Sequence, residues 1–283
     1  MDTKIADRQR PAPGDLYLDH VAHFVPDLGA AANLAESLGF VVTPESAHRA
    51  QGKPAGTSNR CIMLEEGYIE ILAPTLDTPN ARRVRAHMAR YPGVHLACFG
   101  TPDAEAEHRR LAAHGFDPEP LVDLRRETPN GAVRFKVVYV PPETMPEGRV
   151  QYVEQLTPEV IWNAPSLAHT NGITGLKALY VVADDPAEVA ARWGRFSGLL
   201  PFPDGDLVRL DCARGQVYVG ARPAFAQILG AIPAAPAIAG YAFASRHPEA
   251  FVARCSKQGL AVRRTAAGHA VSLPAALGGV WLI

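Results

Sequence analysis

Several things are missing from this 283-residue chain, and each absence removes a class of protein. It has four cysteines, Cys61, Cys98, Cys212 and Cys255, spread far apart and forming no CxxC pair. That excludes a dense disulfide framework and fits reduced thiols in a cytoplasmic setting. Basic and acidic residues number 28 and 29, with no basic stripe, which argues against a nucleic-acid partner. No uninterrupted apolar run is long enough to span a bilayer, and no membrane partner is expected. The opening MDTKIADRQRPAPGD is polar, lacks the apolar centre of a signal peptide, and reads as a flexible segment over residues 1–15.

What the chain does have is apolar bulk and repetition. Apolar residues make up 47% and charged residues 20%, enough for a sizeable core. One pattern occurs four times: an apolar strand, a capped helix and a glycine. The first copy is LDHVAHFVPDLGAAANLAESLGFVV, with a strand near Leu18–Val25, Asp27 as helix N-cap and Gly39 as the stop. The second, VHLACFGTPDAEAEHRRLAAHGFDP, is capped by Asp103 and closed by Gly115. The third opens its helix at Asp185-Pro186 and ends it at Gly198. The fourth runs from a strand through Pro248 to Gly259.

Strand-like segments follow each helix. They lie at Phe40–Thr43, Arg60–Leu64 and Tyr68–Leu72 in copy one, and near Leu121–Asp123, Val133–Val140 and Val150–Gln155 in copy two. Copies three and four give Leu207–Cys212, Val217–Ala221, Ala261–Arg264, His269–Leu273 and Gly279–Ile283. The unit is therefore βαβββ, and the fold class is α+β. Two units side by side make a curved, roughly eight-stranded mixed sheet with helices on one face and a cleft on the other. The Pro- and Asn-containing stretch 157–172 divides an N-terminal half, 16–158, from a C-terminal half, 172–283.

This pattern, from Leu16 to Ile283, resembles the vicinal oxygen chelate superfamily, which includes glyoxalase I, extradiol dioxygenases and the fosfomycin- and bleomycin-resistance proteins. GTSNRCIMLEEGYIEIL at 56–72 and ETPNGAVRF at 127–135 resemble its glyoxalase-like domain branch. The resemblance implies metal ligands on the first and last strands of each module of a pair. Carried over residue by residue, LDHV gives His20, YIEIL gives Glu70, VHLAC gives His95 and QYVEQL gives Glu154. A one-residue change of register would bring Gln151 or Gln155 to the last position. The C-terminal half offers no comparable set: Lys177 or Ala178, Ala239 or Gly240, Tyr218 or Val219, and Trp281 or Leu282. It reads as a degenerate half that stabilises, shapes the pocket or pairs two copies in a homodimer.

Two imidazoles and two carboxylates suit Zn, Ni, Mn, Fe or Co as a divalent metal. Such a site would accept a small-molecule substrate with adjacent oxygens and stabilise an enediolate, with Glu154 or Glu70 as the base: an isomerase or lyase. If Glu70 does not coordinate, His20, His95 and Glu154 form the triad of an extradiol dioxygenase. A metal-free binding or resistance protein is the third class. His48, in the loop between the second and third strands, is a candidate general acid or base. His23 faces opposite to His20 by alternation and is assigned to structure. Thr57 and Asn59 set the turn or meet substrate, Arg134 is a candidate for an anionic substrate, and Arg82, Arg83, Arg85, Arg90 and His87 read as a solvated helical face.

Overall fold

The computed structural model describes residues 3–50, 52–128 and 131–283. Pro129 and Asn130, from the ETPNGAVRF stretch, lie outside the described residues. The N-terminal half forms one sheet from β1 (Tyr17–Phe24), β2 (Ser46–Ala50), β3 (Lys53–Met63), β4 (Tyr68–Pro74), β5 (Gly93–Gly100), β6 (Val122–Thr128), β7 (Gly131–Tyr139) and β8 (Arg149–Gln155). Their order is β2-β3-β4-β1-β5-β8-β7-β6. The C-terminal half repeats it with β9 (Ile173–Val182), β10 (Pro201–Asp204), β11 (Leu207–Asp211), β12 (Gln216–Gly220), β13 (Ala237–Ser245), β14 (Ala261–Thr265), β15 (Gly268–Ser272) and β16 (Val280–Leu282), in the order β10-β11-β12-β9-β13-β16-β15-β14. In each sheet the first strands of two modules pair antiparallel at the centre, and each pairs parallel with the last strand of its own module.

Among the described residues the α-helices are α1 (Thr3–Asp7), α2 (Leu28–Ser37), α3 (Pro79–Met88), α4 (Ala104–Ala113), α5 (Pro158–Ile161), α6 (Pro186–Ser197), α7 (Arg222–Leu229) and α8 (Pro248–Lys257). The module helices start where the sequence places their caps. Asp27 accepts from the N–H groups of Gly29 and Ala30, Asp103 from Ala106 and Asp185 from Glu188. Each cap satisfies amide donors that the first helical turn leaves open. Gly198 ends α6 with φ +74°, a left-handed conformation that costs glycine little.

Local expectations need correction at four points. Residues 40–43 form no strand; Pro44 follows, without an N–H to continue a ladder. The second strand begins at Ser46, so His48 lies on β2 and not in a loop. The N-terminal segment, expected to be flexible, makes specific contacts: Ala6 and Gln9 are buried, and the Gln9 side-chain amide donates to the Glu65 carbonyl at 2.8 Å. The fourth is α7, which the sequence pattern did not reveal. Phe225 and Leu229 of α7 pack with Tyr180, Ala239 and Leu282 on the face of the second sheet opposite α6 and α8. Its counterpart α3 buries only Ala81 and Val84 and leaves three arginines exposed. The second concave face is thereby filled and the first stays open.

The halves share one continuous core, in which Phe40 meets Phe243, Phe251 and Trp281. Polar links cross it. The Glu147 carboxylate, fully buried, accepts two hydrogen bonds from Arg192 at 2.8 and 3.1 Å and one from the Trp193 indole at 3.1 Å. Removing one partner of such a group leaves buried donors without acceptors. Glu147→Ala is expected to lower stability by about 3 kcal/mol, read as a fall in the urea midpoint. An unchanged midpoint would show that this link between the halves carries little of the stability.

Candidate active site

The concave face of the first sheet holds a cleft of about 1260 Å³. Its chemistry is divided. β1, β3 and β4 supply His20, Thr57, Asn59 and Glu70, while β5, β7 and β8 supply mainly Leu96, Val133, Phe135, Val137, Tyr139 and Val153. Strand alternation makes this face: Tyr68, Glu70 and Leu72 line it, and Ile69 and Ile71 point into the helix-side core.

His20 is 4% exposed and stacks on Tyr68 with ring centroids 4.2 Å apart. Its Nδ1 lies 2.6 Å from Oδ1 of Asp19. Adjacent residues of a regular strand face opposite ways, and the contact is made possible by an irregularity in β1–β5 pairing between Leu18 and His20. Asp19 is fully buried and also accepts from the Gln155 amide at 3.4 Å. Nδ1–H donates to the carboxylate, and in that tautomer Nε2 is the ring's lone-pair nitrogen. Cys98 sits beside them: Asp19, His20 and Cys98 each offer a donor atom within 4.8 Å of the others. Burial, reinforced by the Asp19 charge, pushes the Cys98 thiol well above its ordinary range, so it stays protonated.

A second polar group surrounds Glu70. The Asn59 amide donates to Glu70 Oε1 at 2.7 Å, and Nε2 of His48 is 3.8 Å from the same oxygen. His48 Nδ1 is 3.0 Å from the Thr57 hydroxyl, which also accepts from Asn80 of α3 at 3.3 Å. Asn59 offsets part of the cost of a carboxylate that is only 8% exposed.

The expected four-residue metal set does not converge. Glu154 lies on the other face of β8, where its carboxylate accepts from the Ala104 N–H at 3.0 Å, at the N-terminus of α4. The cleft side of β8 carries Gln151, Val153 and Gln155. His95 falls at the second irregularity of β1–β5 pairing, between the Ala22 and His23 rungs, so β5 shows Leu96 and Cys98 to the cleft. The His95 Nε2 donates to the Tyr91 carbonyl at 2.8 Å, and its ring lies among Tyr91, Phe24 and His87. Of the four, only His20 and Glu70 line the cleft, so a four-ligand site does not fit. The dioxygenase triad fails with it, because it needs both His95 and Glu154. Arg134 is exposed beside Asp123 at 3.8 Å and also points away from the cleft.

Asp19 and Cys98 join the site without having been chosen as candidates from the sequence, and Gln151 and Gln155, the register alternatives for Glu154, line the cleft. The pair Asp19-His20 is visible in LDHV, but its geometry depends on the bulge. His23, as expected, is structural: its Nδ1 donates to the Leu277 carbonyl at 3.0 Å, and its Nε2 accepts from the Tyr241 hydroxyl at 2.9 Å.

Burial pushes His23 and His87 down to about 4 and His95 to about 3. The unfolded chain, with histidines near their ordinary 6.5, binds these protons first as pH falls. Their contribution to stability is complete above about pH 6.5 and declines toward pH 4. Urea midpoints measured across this range should fall with acidification, and His95→Phe should flatten the slope. A wild-type midpoint independent of pH would contradict these assignments.

This double βαβββ sheet with its open cleft is the paired-module architecture of the vicinal oxygen chelate fold. The chain belongs to the glyoxalase-like domain family, whose sequence profile matches residues 18–197. Similar solved structures share the fold at low identity. A hypothetical protein from Staphylococcus aureus has a TM-score of 0.66 at 12% identity, covering 94% of this chain and 97% of that one. A mutant 4-hydroxymandelate synthase from Streptomyces coelicolor has a TM-score of 0.61 at 14% identity, covering 95% and 92%. A xylose isomerase-like TIM barrel/4-hydroxyphenylpyruvate dioxygenase fusion protein has a TM-score of 0.55 at 16% identity, covering 90% of this chain and 40% of that one. No curated protein matches the chain.

Proposed function

We propose that the N-terminal cleft is an active site for proton transfer on a small molecule with adjacent oxygens, of isomerase or lyase type. The observation that carries this is the placing of two histidine–carboxylate pairs, His20–Asp19 and His48–Glu70, on the polar wall of an otherwise apolar cleft. His20 Nε2 removes the proton next to a carbonyl. Asp19 holds the tautomer and stabilises the imidazolium that forms. His48, with Glu70 beside it, delivers a proton to the developing enolate oxygen. The apolar walls exclude water and strengthen these charge interactions.

A second reading gives the cleft a divalent metal, as the sequence led us to expect, but held by Asp19, His20 and Cys98. The proximity of those donors supports it. A cation there would supply Lewis-acid polarisation of substrate oxygens, and a site with nitrogen, oxygen and sulfur donors suits zinc.

Protein purified without chelators or a metal-affinity column would be incubated with α-hydroxy- and α-ketocarbonyl compounds in deuterium oxide, with loss of the α-proton followed by NMR. Exchange is expected for at least one compound. Asp19→Asn should lower its rate by about 10²-fold or more, because the tautomer lock is lost. Absence of exchange across the series, or exchange indifferent to Asp19→Asn, would contradict the proposal. Elemental analysis separates the two readings: near-stoichiometric metal that disappears in His20→Gln supports the second.

A further inference from the structure

We infer that the substrate is an amphiphilic anion whose charged end is received by Arg149. This rests on the reading of the cleft as an active site. Arg149 lines the cleft and is half-buried. Its guanidinium lies over the Tyr139 ring, 4.7 Å from the centroid. Among the described residues no carboxylate lies within ion-pair distance of it. Arg83 at the cleft, by contrast, has Glu119 at 3.7 Å. A half-buried cation on an aromatic face keeps its charge and its in-plane N–H donors, and an anionic oxygen completes its surroundings.

The sheet register fixes where that anion lies relative to the reacting end. His20 is opposite Cys98, and Cys98 pairs with Gln151. Arg149 is two residues before Gln151 on the same face and pairs with Leu96. Two strand spacings across and two residues along separate the His20 and Arg149 backbones by roughly 12 Å. Phe24, Leu96 and Val137 belong to the apolar cluster between and beside these positions. A ligand that reaches both ends has oxygens at the His20–Glu70 wall, an apolar chain or ring in the middle, and a carboxylate or phosphate at Arg149.

Calorimetric titration of the full chain with 4-phenylbutyrate, 4-phenylbutyl phosphate and 4-phenylbutyramide tests this. At least one anion should bind roughly tenfold or more tightly than the neutral amide, the size of a charge-assisted hydrogen bond. Whichever anion binds better identifies the preferred group. The preference should vanish in Arg149→Met and persist in part in Arg149→Lys. Circular dichroism checks the fold, and Arg149→Gln replaces the Met variant if that one unfolds. Equal affinities for all three probes, no detectable binding, or an unchanged preference in a folded Arg149→Met or Arg149→Gln variant would overturn the inference. Asp19→Asn should retain the anion preference, so failure of the proposed proton-transfer chemistry and failure of the anion subsite are read separately.

Discussion

The antiparallel pairing of β1 with β5, at the centre of the first sheet, decides which side chains reach the cleft. It joins two modules and sets the face of each residue along both strands. Two irregularities interrupt it. The one beside Leu18 lets Asp19 turn toward the ring of its own neighbour, His20. The one beside His23 takes His95 out of the alternation, so that Leu96 and Cys98 face the cleft. A single residue of register here exchanges a ligand for a leucine. The candidate chemistry therefore depends on backbone hydrogen bonding before it depends on any side-chain pK.

The two halves are built alike and used differently. Both sheets have the same strand order, and both cover one face with module helices. They differ in the helix that links the modules. α7 places Phe225 and Leu229 into the second concave face, whereas the arginine-rich α3 remains at the border of the first. Burying two large apolar side chains contributes several kcal/mol and closes the space a ligand would need. The filled half then braces the open one through the Glu147–Arg192 link and the His23–Tyr241–Trp281 hydrogen-bond chain.

Much of this was legible in the residues, and the limits have clear causes. The aspartate caps, the terminal glycines and the apolar alternation are local signals, and they gave the βαβββ units and their order. His20 and Glu70 came from the carried-over family pattern, and both line the cleft. His95 was misplaced because the irregularity in β1–β5 pairing shifts the phase of alternation, and nothing in VHLAC marks it. Glu154 was misplaced because regular alternation along β8 turns Gln151, Val153 and Gln155, not Glu154, to the cleft. Gln151 and Gln155 were noted as the register alternatives for Glu154, and they do line the cleft. α7 escaped because a short Pro- and Ala-containing segment between modules resembles a connection, and its apolar face gains meaning only against a sheet.

The central claim is that the reacting residues are those the pairing register turns into the cleft. The most direct measurement compares His20→Gln with Glu154→Gln in the same α-proton exchange reaction. The account predicts that His20→Gln abolishes exchange and that Glu154→Gln, which keeps an acceptor for the Ala104 N–H, proceeds at the wild-type rate. Equal loss in both variants would contradict it, and would restore Glu154 to the chemistry from which its side-chain direction removes it.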